Sequence, residues 1–186
     1  MRLTFVTTNV GKANEIRSLL KTFGIEIDVC TIKLTEIQSD SLEEIATRSC
    51  EEAYEILRKP VFVEDAGLFI ERLNGFPGPY TSYVYRTIGI AGVLRLMEGE
   101  ENRAAHFKSC IACKISGDLI NLFSGICVGR ISNEPRGSSG FGFDPIFVPE
   151  EGDGRTFAEM SIEEKNAISH RGKAVRLLTE WLKLMR

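Results

Sequence analysis

The sequence predicts a mixed α/β fold in which a long twisted β-sheet is flanked by helices and two lobes enclose a cleft, all within one domain over residues 1–186. Three observations lead there. Apolar runs with strand and helix periodicity alternate β, α, β, α, β from Arg2 to Val63. Two long β-rich runs then flank Ser116-Gly117-Asp118, turn chemistry of the kind a hairpin uses. A helix with an apolar stripe closes the chain.

Arg2 to Thr7 reads as the first strand. Ala13, Ile16, Leu19, Leu20 and Phe23 recur at helical spacing and make Lys12 to Phe23 a helix, which Gly24 stops. Ile25, Ile27 and Val29 alternate with polar or smaller neighbours, as in a half-buried strand ending near Leu34. Ser41-Leu42-Glu43-Glu44 places a Glu three residues beyond a candidate N-cap. This capping box opens a helix whose buried face is Ile45, Ala46, Ala53 and Leu57. Val61 to Val63 is strand-like, and an acidic turn through Glu64, Asp65 and Gly67 precedes the apolar Leu68-Phe69-Ile70. Gly75 to Pro79 breaks the chain, Ile88 to Met97 looks helical, and Glu98 to Asn102 is a charged connection. Ala105 to Ile115 and Leu119 to Ile131 are the hairpin strands, and a Gly/Ser-rich loop crosses Arg136 to Pro145. Ser161-Ile162-Glu163-Glu164 repeats the capping-box pattern, and Ala174, Leu177, Leu178, Trp181 and Met185 stripe the last helix.

Composition excludes several classes. The chain has no apolar run near the roughly 20 residues a membrane span needs. Met1-Arg2 leads straight into strand-like residues, with no apolar core of a signal peptide, so the expected location is cytoplasmic. A net charge of −3 lacks the global attraction of a protein that coats nucleic acid, so no nucleic-acid partner is expected. Five cysteines, an odd number, argue for reduced thiols over a disulfide framework. Cys110 and Cys113 do make a CxxC, but no second pair accompanies it and the stretch also reads as a strand.

Four stretches carry the chemistry. "TTNVGKANE", Thr7 to Glu15, lies where the first strand hands over to the first helix. Unpaired N–H groups at a helix start suit phosphate, Gly11 permits close approach, and Lys12 adds a full charge; equally, Asn9 can cap the helix with Lys12 in solvent. The stretch is not a P-loop, which needs Gly at Val6 and Ser or Thr at Ala13. Glu64 and Asp65 at a strand end, with Glu36 at the same rim of the sheet, are hard oxygen ligands of the kind magnesium takes, or else solvated rim charges. In "GFGFDP", Gly140 to Pro145, Phe141 and Phe143 offer a stacking face for a base or an anchor for the loop, one Phe for each job. "EKNAISHRGK" gathers Lys165, His170, Arg171 and Lys173 near a helix start, where positive charge opposes the dipole and an anionic or carbonyl-rich partner helps explain it.

Together with "VEDAGL" and "NGFPGPYTS", these stretches resemble, in order and over nearly the whole chain, the inosine triphosphate pyrophosphatase family. The resemblance implies magnesium-dependent hydrolysis of XTP, ITP and dITP to the monophosphate plus pyrophosphate, in a homodimer that cleanses the nucleotide pool. It implies that Thr7, Thr8, Asn9, Val10, Gly11 and Lys12 hold the triphosphate, with Asn9 and Lys12 the chief polar contacts. Asp65 resembles the acid that binds Mg2+ and takes the proton of the attacking water, Glu36 a second metal ligand, and Glu64 a supporting acid. Ala66 falls where the family often carries a hydroxyl and leaves only a backbone N–H to meet substrate. Phe141, Gly142, Phe143 and Asp144 resemble the base-holding loop, and Lys165, His170 and Arg171 the clasp of the purine. One departure is Ser49, where many members carry Lys in an "AxxKA" pattern. Arg48 points roughly 100° away on a helix and does not simply replace it. Two other readings differ in function: a Maf-like pyrophosphatase with other base preference, which the "SHR" stretch disfavours, and a purine-nucleotide sensor without turnover.

Overall fold

The computed structural model describes residues 2–185. In chain order the elements are β1 (Leu3–Val6), α1 (Val10–Thr22), β2 (Ile27–Cys30), α2 (Leu42–Leu57), β3 (Val61–Ile70), β4 (Pro77–Gly78), α3 (Thr81–Thr87), α4 (Gly89–Leu96), β5 (Ala104–Lys114), β6 (Asn121–Ile131), β7 (Phe147–Pro149), α5 (Ile162–Ile168) and α6 (His170–Leu184). A seven-stranded sheet runs β2-β1-β3-β5-β6-β7, with β4 also on β3. β1 is parallel to β2 and β3, whereas β5, β6 and β7 continue antiparallel, so the sheet is mixed as expected.

Side chains alternate across the sheet and bury against different helices on its two faces. Leu3, Phe5, Phe62 and Ile111 pack with Ile16 and Leu20 of α1 and Ala174, Val175 and Leu178 of α6. Val6, Val61, Val63, Cys110 and Ala112 pack on the other face with Leu42, Ala46, Cys50 and Ala53 of α2. A third cluster, with Leu68, Phe107, Phe143, Phe147 and Phe157, fills the far end of the long strands beneath α3 and α4.

Several expectations are corrected. β3 is unbroken through Glu64, Asp65 and Gly67, so there is no acidic turn. Gly67 is needed for close approach: a Cβ there would lie 2.4 Å from the Gly78 carbonyl oxygen of β4. β2 stops at Cys30, and residues 31–39 have no regular structure. The buried stripe of α2 is Leu42, Ala46, Cys50 and Ala53, with Ile45 and Leu57 only half-buried. Its capping box is half made: Ser41 Oγ accepts from the Glu44 N–H, but the Glu44 carboxylate accepts from Ser39 Oγ. The Ser161 box closes in both directions. The last helical region breaks at Ser169, which ends α5 and caps α6 by accepting from the Gly172 N–H. Leu177 and Met185 are exposed, and Val175 and Leu182 take their places in the stripe.

Candidate active site

The site forms where β1 ends beside β3. Along that edge β3 pairs with β1 through Val61 and Phe62 and with β4 through Leu68 and Phe69. Glu64, Asp65 and Ala66 fall between, so the acids stand at the end of a neighbouring strand instead of at the end of their own. Alternation sends Glu64 to the α1/α6 face and Asp65 to the α2 face.

The Thr7–Lys12 loop meets this gap. Thr7 Oγ1 accepts from the Asn9 N–H at 3.1 Å, and Asn9 Oδ1 accepts from the Lys12 N–H at 3.0 Å. Asn9 is therefore a true N-cap, while Thr8, Asn9 and Val10 lie exposed at the positive end of a 13-residue helix without acids in its first turn. Lys12 is not left to solvent. Its Nζ donates to the Glu64 carbonyl at 2.9 Å and lies 2.9 Å from Glu64 Oε2 and 3.7 Å from Asp65 Oδ1.

From Lys12 a chain of alternating charge runs inward. Glu64 Oε1 accepts from Ser109 Oγ at 2.6 Å and from Arg171 Nε at 3.1 Å. Arg171 Nη1 donates to Glu15 Oε2 at 2.5 Å, and Lys165 Nζ reaches Glu15 Oε1 at 2.7 Å and Asp144 Oδ2 at 2.6 Å. Asp65, Lys12, Glu64, Arg171, Glu15, Lys165 and Asp144 thus form one network of four carboxylates and three cations. Burial raises the Glu64 carboxyl, but Arg171 and Lys12 outweigh it and hold the group far below the usual carboxylate range. Burial is likewise overcome at Glu15 by Arg171 and Lys165, leaving it lowered. Asp65 goes the other way: burial, Glu64 and Glu36 raise it against the pull of Lys12. Burial, then Arg171, pushes His170 well below the ordinary imidazole range, so it is neutral at pH 7.

Phe141 covers the inner part of the network. Lys165 Nζ lies 5.1 Å and the Arg171 guanidinium 5.5 Å from its ring centroid. Its N–H donates to Asp144 Oδ2 at 2.8 Å, fixing the loop. Gly11 is the seat for this ring, since a Cβ there would meet Phe141 Cδ1 at 2.5 Å. The phosphate-type loop and the base-type loop are therefore in contact through a glycine.

The sequence-named residues do not all converge. Phe143 is 1% exposed, sits in the core edge-on to Tyr85, and offers no free stacking face; it is the anchor and Phe141 the open ring. Gly142 is a loop residue with φ of 63°. Lys165 lies in the last turn of α5, where its charge suits the dipole, while Arg171 lies in the first turn of α6 and finds its anionic partners inside the protein. His170 is buried and stacks on Phe107 at 4.7 Å, and its Nδ1 has no hydrogen-bond partner among the described residues. Lys173 turns away to Glu151. Glu36 is exposed on the irregular stretch after β2, not at a strand rim, yet its charge reaches Asp65. Arg48 pairs with Glu51 at the surface, so the position of Ser49 carries no cation.

Two residues escaped the sequence reading. Glu15 is 3% exposed on α1, and its signal was an acid three residues after Lys12 on the same helical side as Leu19. Ser109, fully buried on β5, gave no sequence signal and is located by register, since it faces Ala66 beside Glu64.

Carboxylate oxygens are the ligand chemistry magnesium takes. Among the described residues no cluster of three ligating side chains occurs. Magnesium bound with a polyphosphate needs only one or two carboxylates, the rest being phosphate oxygens and water. Asp65, whose ionised form is disfavoured by its surroundings, and exposed Glu36, whose charge reaches it, are the two carboxylates with that chemistry here.

The Ham1 family model matches residues 3–181. The chain is 53% identical over 184 residues to a dITP/XTP pyrophosphatase of Pyrococcus horikoshii, covering 99% of this chain and 98% of the relative. It is 52% identical over 183 residues to one of Thermococcus kodakarensis, covering 98% of each. Among solved structures, a HAM1 protein from Coxiella burnetii superposes with a TM-score of 0.86 at 30% identity over 98% of both chains. With a family match over nearly its whole length and the motifs in order, this chain belongs to the Ham1 family, the inosine triphosphate pyrophosphatase family its sequence resembles.

Proposed function

We propose that this protein hydrolyses XTP, ITP and dITP to the nucleoside monophosphate and pyrophosphate. The observation that carries the reading is the single charged network joining a phosphate-type helix start at Asn9–Lys12 to the half-exposed aromatic ring of Phe141. Identity of 52–53% over nearly the full length to relatives named for this activity supports it.

Glu36 and Asp65 would hold the magnesium ion, which supplies neutralisation of triphosphate charge and an ordered water. The N–H groups of Thr8, Val10 and Gly11, unlike that of Asn9, which donates to Thr7 Oγ1, are free to bind phosphate oxygens. Lys12, already oriented by Glu64, stabilises charge on the departing pyrophosphate. Asp65 accepts a proton from the water whose oxygen bonds to phosphorus, and the bond between the α-phosphoryl group and pyrophosphate breaks; its raised pKa suits that role. Glu64, tied by Ser109, Lys12 and Arg171, is the fixed centre of the arrangement.

At the base, Phe141 stacks on the purine, and the donors offered to its edge are those of Lys165 and Arg171 beneath that ring, above all Arg171 Nη2, since Nε and Nη1 are held by Glu64 and Glu15. A carbonyl at position 6 accepts from them; the amino group of adenine meets donor with donor. Such a mismatch discriminates by up to about 10⁴ where buried polar groups lose their partners. The homodimer and a cytoplasmic role in cleansing the nucleotide pool complete the reading. Among the described residues no helix is long and apolar enough to cross a membrane.

Product analysis of ITP hydrolysis with Mg2+, by phosphorus NMR, tests the bond assigned. IMP plus pyrophosphate is expected. IDP plus phosphate would overturn the mechanism, and tight ITP binding without cleavage would make the protein a sensor.

A further inference from the structure

The stretch that carries Glu36 has no regular structure from residue 31 to residue 39, and its neighbours 35 and 38 are exposed. A metal ligand on such a stretch needs something to hold it. Ile32 and Leu34 pack partly against the α2 face of the sheet upstream of Glu36, and Ser39 Oγ donates to Glu44 Oε2 of α2 at 2.7 Å three residues downstream. At Thr35 the attachment becomes specific. Its N–H donates to Glu52 Oε2 at 2.8 Å and its hydroxyl to Glu52 Oε1 at 3.2 Å. Glu52 is half-buried in the middle of α2, a rigid element whose Ala53 lies in the core. Among the described residues the side chains of the body that hydrogen-bond to residues 31–39 are Glu52, at Thr35 next to Glu36, and Glu44, at Ser39. An open pocket of about 450 Å3 is lined by Lys33, Leu34, Thr35 and Glu36 at this place.

We propose that Glu52 is a positioning residue for the metal site: its two-point hold on Thr35 sets the place of Glu36, so that losing it weakens metal binding without touching the ion. The inference rests on the assignment of Glu36 as a magnesium ligand. A carboxylate is suited to the task because it accepts from N–H and O–H together, fixing both backbone and side chain of one residue. Outer partners of this kind orient ligands, and their loss typically costs about 10- to 100-fold in metal affinity.

The test uses the full chain with Glu52→Ala, Glu52→Gln, Thr35→Val and Glu36→Gln. Two quantities are read: the Mg2+ concentration for half-maximal ITP hydrolysis, and the Mn2+ dissociation constant by electron paramagnetic resonance with an α,β-methylene analogue of ITP. Glu52→Ala is expected to raise both by about tenfold, with turnover at saturating Mg2+ and thermal stability close to wild type. Thr35→Val, which keeps the backbone half of the hold, shows a smaller rise, and Glu52→Gln, which keeps one acceptor, recovers most of the affinity. If Glu36→Gln raises both quantities and Glu52→Ala neither, the positioning role is wrong while the metal assignment survives. If Glu36→Gln raises neither, the metal assignment fails and this inference with it. A loss of activity in Glu52→Ala that extra Mg2+ does not restore, accompanied by a fall in Tm, would make Glu52 structural only.

Discussion

Replacing Glu15 by Gln removes the charge at the middle of the buried network while keeping its volume. Glu15 accepts from Lys165 at 2.7 Å and from Arg171 at 2.5 Å, and all three side chains are nearly inaccessible. Hydrogen bonds to charged groups contribute about 1.5–3 kcal/mol each, and breaking a buried pair costs about 3–5 kcal/mol because a charge is left uncompensated. The Gln carbonyl keeps one acceptor, which offsets about 1 kcal/mol. A net loss of about 3 kcal/mol follows, or a fall in Tm of roughly 6–12 °C for a domain of this size. Urea and thermal unfolding followed by circular dichroism measure it. The folded-state pKa of Glu15 is lowered, so its contribution is fully present above the unfolded carboxyl pKa and is lost as pH falls through the folded value. The gap between wild type and variant is therefore widest near neutrality and closes in acid. A loss below about 1 kcal/mol at pH 7, or a gap that widens on acidification, would refute the view of Glu15 as the anchor of both cations.

Asp65→Asn behaves oppositely, because burial, Glu64 and Glu36 already disfavour the ionised form. Its Tm should equal or exceed wild type while ITP turnover falls about 10²- to 10⁴-fold, and a folded variant with near wild-type turnover removes Asp65 from its assigned role. Phe141→Ala loses a stacking contribution of about 1–3 kcal/mol, read as a KM for ITP higher by roughly 5- to 150-fold with little change in Tm. An unchanged KM would place the base elsewhere. Gly67→Ala puts a Cβ 2.4 Å from the Gly78 carbonyl oxygen and should cost about 1–3 kcal/mol in urea unfolding. Equal stability would mean that β4 yields freely.

Much of the fold was legible because its elements carry strong local signals. The hairpin strands were bounded to within a few residues by β-rich runs around a turn, and Ser161 and Ser41 announced their helices by capping chemistry. What misled was chemistry whose cause is tertiary. Gly67 looked like a turn residue, yet it is extended and is required by a carbonyl on another strand. The turn after the acids followed from that misreading. The short helix α3 carries exposed tyrosines and only Val84 buried, so it has no stripe to read. At Ser169 a single residue ends one helix and caps the next, which periodicity alone does not separate. In the site, Lys12 and Asp65 were legible from motif and charge, and the division of work between Phe141 and Phe143 was foreseeable as a pair of roles. Only packing decides which ring takes which. Glu15 was hidden because an acid beside apolar helix positions reads as solvated until Lys165 and Arg171, about 150 residues away, close over it.

The central claim, that the network at Phe141 selects a purine carrying a carbonyl at position 6, is tested most directly by kcat/KM for ITP, XTP and ATP under one set of conditions with saturating Mg2+. The account predicts that ITP and XTP exceed ATP by at least about 10²-fold, approaching the ~10⁴ that unmatched buried donors can impose. Values for ATP within tenfold of ITP would contradict it.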